Sequence, residues 1–165
     1  MTYQEIDRAL CEIVTQKYHE CQERLDAVPK ENKNERKALT VEREMYGLFH
    51  RAGLLVHVSG NREQILSIRN RFIFQKHPRL SEIFSQLDKE EKMRFCAALQ
   101  AEIFMRDTFF CSYVTELQDA KASGDITKIF EFEIKVGSLN NIFSAWEAWR
   151  EKNNVYPKMF LEGLT

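Results

Sequence analysis

The residue types with the widest chemical reach fall in one short stretch, Arg69-Asn70-Arg71-Phe72-Ile73-Phe74-Gln75-Lys76-His77. An imidazole titrates near neutral pH, so His77 can give and take a proton. The permanently charged guanidinium of Arg71 can hold a phosphoryl oxygen through paired N–H donors. Five residues separate the two. Such a pair suits metal-free cleavage of a phosphodiester: one group stabilises charge as it develops and the other moves the proton. Arg51 with His57 has the same spacing, and Arg43 with His50 is one residue longer.

An arginine followed by histidine at this distance resembles the R-x4-6-H signature of HEPN-type ribonucleases. These are small all-helical domains, usually dimeric. The resemblance covers this motif and the helical class. It implies that Arg71 stabilises phosphate charge and that His77 does acid–base or water-positioning work, with both facing an open cleft at a dimer interface. Pro78 follows His77 directly, which puts a helix end at the motif.

Other chemistries find less to work with. None of the histidines, His19, His50, His57 and His77, belongs to a Glu-x-x-His or H-E-x-x-H motif, so no metal site is expected. Cys11, Cys21, Cys96 and Cys111 form no C-x-x-C pair and sit in apolar helical patterns. They read as reduced, buried small hydrophobes. The sequence has no G-x-S-x-G elbow and no Gly-rich phosphate loop, so neither a nucleophilic serine nor a nucleotide cofactor is expected.

Two features speak for recognition instead of catalysis. Residues 54–79 carry Arg62, Arg69, Arg71, Lys76 and Arg79 against one carboxylate, Glu63. Arg62, Arg69 and Lys76 recur every seventh residue and so form one stripe of a helix, apart from Ile65, Ile68 and Phe72. Such a stripe can meet phosphates, an acidic protein surface, or the acidic stretches 1–28 and 96–125 of the same chain. The second feature is Trp146 and Trp149, three apart beside Arg150. Tryptophan and arginine are over-represented among residues that dominate protein interfaces. With Tyr156 and Phe160 they would build an apolar patch that receives another chain or the chain's own tail.

The elements that must position these residues are helices. Hydrophobic residues make up 44% of the 165 and charged residues 30%, as in a folded soluble protein. With 6 Gly and 3 Pro, turn material for a sandwich or barrel is scarce. Apolar periodicity places helices over 3–27, 35–56, 61–76 and 79–87. Asp88 followed by Glu91 is a capping-box pattern opening a long helix to Ala122. Nearly all-round apolarity makes that helix the central one, and its length of about 52 Å calls for a bend near Asp107 or Thr108. Phe130-Glu131-Phe132-Glu133-Ile134-Lys135-Val136 alternates as a strand does. A short helix over 126–136 is the first reading, and a two-stranded ribbon with Leu54–Val58 the second. Gly137-Ser138 ends that segment, and Ser138 caps a last helix to Asn153.

The expectation is an all-α, single-domain bundle spanning 1–165, with about six or seven helices. Met1 to Asp7 shows neither a basic nor an apolar leader region, and the longest uncharged run falls well short of the roughly 20 residues of a spanning helix. A cytoplasmic protein is expected, and the same features fit a secreted effector or mobile-element protein acting in another cell's cytosol. The function expected first is that of a non-enzymatic interaction module, an adaptor, inhibitor or chaperone-like factor. It would use Arg62, Arg69, Lys76, Arg79, Trp146 and Trp149 on a protein partner, an acidic one included. The alternatives are the Arg71–His77 ribonuclease and non-catalytic nucleic-acid binding through the basic stripe.

Overall fold

The structure, a computed structural model, describes residues 3–51, 78–92 and 109–153. Among them are five helices and no strand: α1 Tyr3–Ala27, α2 Lys33–Arg51, α3 Pro78–Ser85, α4 Cys111–Ser123 and α5 Ile126–Lys152. The all-α class stands. The expected helix over 61–76 and the bend near Asp107 lie outside the described residues. The two helices expected either side of Gly137-Ser138 are one, so the count among the described residues is five.

α1 and α2 form an antiparallel pair because the turn between them is short and closed by a side chain. The helical hydrogen bonds of α1 run out at its C-terminus, leaving carbonyls without partners. Arg36 Nη1 reaches back from α2 and donates to the carbonyls of Leu25 (3.1 Å) and Val28 (2.8 Å). The apolar stripe of α1, Ile6, Leu10, Val14, Cys21 and Leu25, then packs on Leu39, Met45, Tyr46 and Phe49 of α2.

α4 and α5 are joined by a second tight turn. Gly124 adopts the left-handed conformation (φ 72°). Its N–H donates to Lys121 O at 3.4 Å, and the N–H of Asp125 donates to Ala120 O at 3.1 Å. This is a Schellman closure, which favours glycine because a Cβ clashes at positive φ. Asp125 at once caps α5, its Oδ1 accepting from Lys128 N at 3.1 Å. The expected capping box is also formed: Glu91 N donates to Asp88 Oδ1 (2.8 Å) and Asp88 N to Glu91 Oε2 (2.9 Å).

α5 packs against α4, α2 and α1; residues 126–136 are helical, as first read, while the ribbon alternative and the break at Gly137-Ser138 are corrected. Successive helical positions two apart point about 200° away from each other. A helix with a neighbour on each side therefore alternates apolar residues with period two, as a strand does. Lys37 of α2 sits 5.8 Å from the Phe130 ring, while Tyr113 of α4 lies 6.0 Å from Phe132. No ribbon forms from residues 130–136. Nor does Gly137-Ser138 break the chain: Ser138 Oγ donates to Ile134 O one turn back at 2.8 Å, inside the helix.

The common core gathers Ile6, Leu10 and Val14 with Phe49, Phe109, Leu139, Ile142 and Trp146. Phe109 meets Phe49 edge to face at 4.8 Å. Phe109 and Phe110 form a π-type turn leading into α4, and Phe110 meets Phe143 at 5.9 Å. No helix among the described residues is long and apolar enough to cross a membrane.

Candidate functional site

Burial along α5 is split in two. Its C-terminal half seals Ser138, Leu139, Ile142, Trp146 and Arg150 into the core. From Ile126 to Gly137 no residue is buried, yet this half carries Ile126, Ile129, Phe130, Phe132, Ile134 and Val136. Ile126 is 80% exposed. Lysines lie over the rings: Lys135 is 4.8 Å from the Phe132 centroid and 5.5 Å from that of Tyr113, and Lys37 caps Phe130. Lys135 also pairs with Glu131 at 2.7 Å, and Lys121 with Glu133 at 3.9 Å. Lys37 and Lys128 have no carboxylate partner among the described residues. The surface is therefore aromatic and aliphatic with a basic surplus at its edge.

Beside this face, α2 and α5 leave a cleft of about 240 Å³, lined by Ala38, Leu39, Ile134, Gly137 and Ser138, with Glu35, Glu42, Arg24 and Asn141 around it. Below it runs a chain of polar groups. Arg24 Nη1 is 3.6 Å from Glu42 Oε2, and Glu42 Oε1 accepts from the Tyr46 hydroxyl at 2.9 Å. Asn141 also hydrogen-bonds that hydroxyl. Burial, aided by the neighbouring Glu42, pushes the Tyr46 phenol well above its ordinary range, so it acts as a neutral donor. Cys21 donates its thiol to Leu39 O at 3.2 Å, and burial pushes that thiol up to about 11. A thiol so protonated is a poor nucleophile. This network holds α1, α2 and α5 together; it does not activate a reacting group.

The sequence-expected site residues fall unevenly. Arg62, Arg69, Arg71, Lys76 and His77 lie outside the described residues, as do Tyr156 and Phe160. Arg79 belongs to the first turn of α3. Trp146 is fully buried and stacks on the half-buried Trp149, centroids 4.9 Å apart and planes at 10°. Trp146 therefore presents no surface to a partner, and Trp149 stands at the core's edge. The Nε1–H of Trp146 finds no hydrogen-bond partner among the described residues. His19 and His50 are exposed on α1 and α2. Among the described residues no group of three or more His, Cys, Asp or Glu side chains converges as a metal would require. Cys21 is buried and Cys11 half-buried, but Cys111 is exposed, against expectation, because it opens α4 on the side away from the core.

Sequence reasoning did not find the half-covered face of α5 or the cleft at Gly137. The signal was there: apolar residues fit both a period of two and spacings of three and four through residues 126–142. Comparison with protein-family models, with curated proteins and with solved structures gives no match to this chain.

Proposed function

We propose that the chain is a non-enzymatic interaction module, a single helical domain over 1–165, that captures a protein partner on the N-terminal half of α5. The observation that supports it is the burial split: six large apolar residues over Ile126–Gly137, none of them buried, on a helix whose other half is sealed. Ile126 is exposed and the other five are half-buried; apolar surface left partly uncovered in this way marks interaction sites on soluble proteins. Lys37 and Lys128, without a carboxylate partner among the described residues, select the occupant, an amphipathic helix of a partner protein with an apolar stripe and acidic flanks. This reading includes a cytosolic setting, in its own cell or in one into which it is delivered, which the lack of a C-x-x-C pair among the four cysteines supports.

The test is quantitative capture from native lysate after RNase treatment, comparing the wild type with Ile126→Asp. Aspartate in the first turn of a helix suits the helix dipole, so the fold is kept. The variant should lose most of a stoichiometric acidic partner. Equal recovery by both proteins would reject this surface. Loss of all co-purifying material with RNase would favour nucleic-acid binding through Arg62, Arg69 and Lys76. RNA degradation abolished by Arg71→Ala or His77→Ala would favour the ribonuclease.

A further inference from the structure

The cleft between α2 and α5 has Gly137 in its wall. Gly137 lies in the interior of a 27-residue helix, where glycine costs about 1 kcal/mol relative to alanine. It is not in a left-handed conformation, and a Cβ built on it meets nothing within 4 Å. Neither backbone geometry nor crowding therefore calls for glycine here. It leaves a bare stretch of backbone in a cleft wall shared with Ala38, Leu39 and Ile134. The cleft's 240 Å³ is the volume of about eight waters at ~30 Å³ each, room for a short aliphatic chain.

The charges around that apolar floor are unequal. Glu35 and Glu42 are seven apart on α2, so their Cα atoms stand about 10.5 Å apart along one face. Glu42 is engaged by Tyr46 and Arg24, which itself is largely exposed. Glu35 is exposed at the other end with no ion-pair partner among the described residues. A ligand that lays a methylene chain over Gly137 and ends in a cation beside Glu35 satisfies both the floor and the rim. We propose that this cleft binds a primary alkylammonium group, its stem over Gly137 and its head on Glu35. Two sources carry that group, a free aliphatic amine and the lysine side chain of a peptide. The site borders the α5 surface argued above, sharing Ile134 and Gly137, but takes a different ligand and does not rest on that reading.

The experiment is a titration of the isotopically labelled protein, following the backbone amide resonances of Gly137, Ser138 and Asn141. The ligands are n-butylamine, its neutral counterpart n-butanol, and Nα-acetyl-lysine N-methylamide. Saturable shifts with butylamine and not with butanol are expected. Tighter binding of the lysine amide than of butylamine identifies a peptide lysine as the source, and the reverse order identifies a free amine. Glu35→Gln should weaken binding by up to about fivefold, the order of one exposed ion pair. Gly137→Leu should abolish it by filling the trough, and Gly137→Ala, which the helix accommodates, should weaken it while the protein stays folded. The proposal is overturned if butylamine gives no saturable shift, if butanol shifts the same amides equally, or if binding survives unchanged in Glu35→Gln and Gly137→Ala.

Discussion

Phe130 and Phe132, two residues apart, lie on opposite sides of α5: Lys37 of α2 covers the first ring and Tyr113 of α4 lies against the second. One helix is thus wedged between two others at a level where neither neighbour covers it completely. That geometry predicts different outcomes for the two rings. Phe132→Ala removes packing within the α4–α5 hairpin and should lower stability by about 1–3 kcal/mol, read by denaturant melts, less than a fully buried phenylalanine loses. Phe130→Ala should act more on partner capture than on stability. Equal stability losses with unaltered capture would argue that both rings are merely core.

The turn glycine and the helix glycine should respond to alanine with opposite signs. At Gly124 the positive φ of 72° strains any L side chain, and Gly124→Ala should cost about 1–2 kcal/mol. At Gly137 the new Cβ enters open space and restores helix propensity, so Gly137→Ala should gain up to about 1 kcal/mol. Melting temperatures of the two variants, moving apart around the wild type, check this. A loss at Gly137 would mean that the α2–α5 spacing is tighter than described.

Local signals carried much of the fold. The ends of α1 and the Asp88–Glu91 box were legible because each is decided by neighbours in sequence. What failed was tertiary. Nothing local in 130–136 tells a helix flanked on two sides from a strand, since both give period two. Gly137-Ser138 reads as a stop in isolation, yet Ser138 stays in the helix by bonding Ile134 O. Trp146 and Trp149 read as one patch, but their separation by one helical turn let the first sink to 0% exposure and left the second at the rim.

That division between the tryptophans has a measurable consequence. Trp146→Ala empties a fully enclosed site and should cost about 3–5 kcal/mol. Trp149→Ala loses one face of a stack and some half-exposed area, and should cost about 1–2 kcal/mol. Fluorescence quenching by a polar quencher should reach Trp149 and spare Trp146, which the single-tryptophan variants Trp146→Phe and Trp149→Phe report one at a time. Equal quenching of both would contradict the enclosed position of Trp146.

The cysteines differ in a way that alkylation and alkaline titration can read together. Cys111 is exposed, Cys11 is half-buried with its thiol pushed up by burial and then by the charge of Glu12, and Cys21 is enclosed with its thiol near 11. Because the thiolate is the reactive form, Cys111 should alkylate first among these three, Cys11 next and Cys21 only on unfolding, as peptide mass spectrometry would resolve. The sign of the pH effect follows from the same shift. The unfolded chain deprotonates Cys21 near its ordinary value of 9.0, and the folded one only near 11. The stabilisation is therefore complete below about pH 9 and is lost as pH climbs through the folded value, a fall on the order of 3 kcal/mol from this residue. Tyr46, held neutral by burial, deepens the loss above the ordinary tyrosine range. Cys21→Ala removes the first component only, so its stability curve should be flatter between pH 9 and 11 and still fall beyond. A variant curve parallel to the wild type across that window would show that Cys21 does not carry the shift.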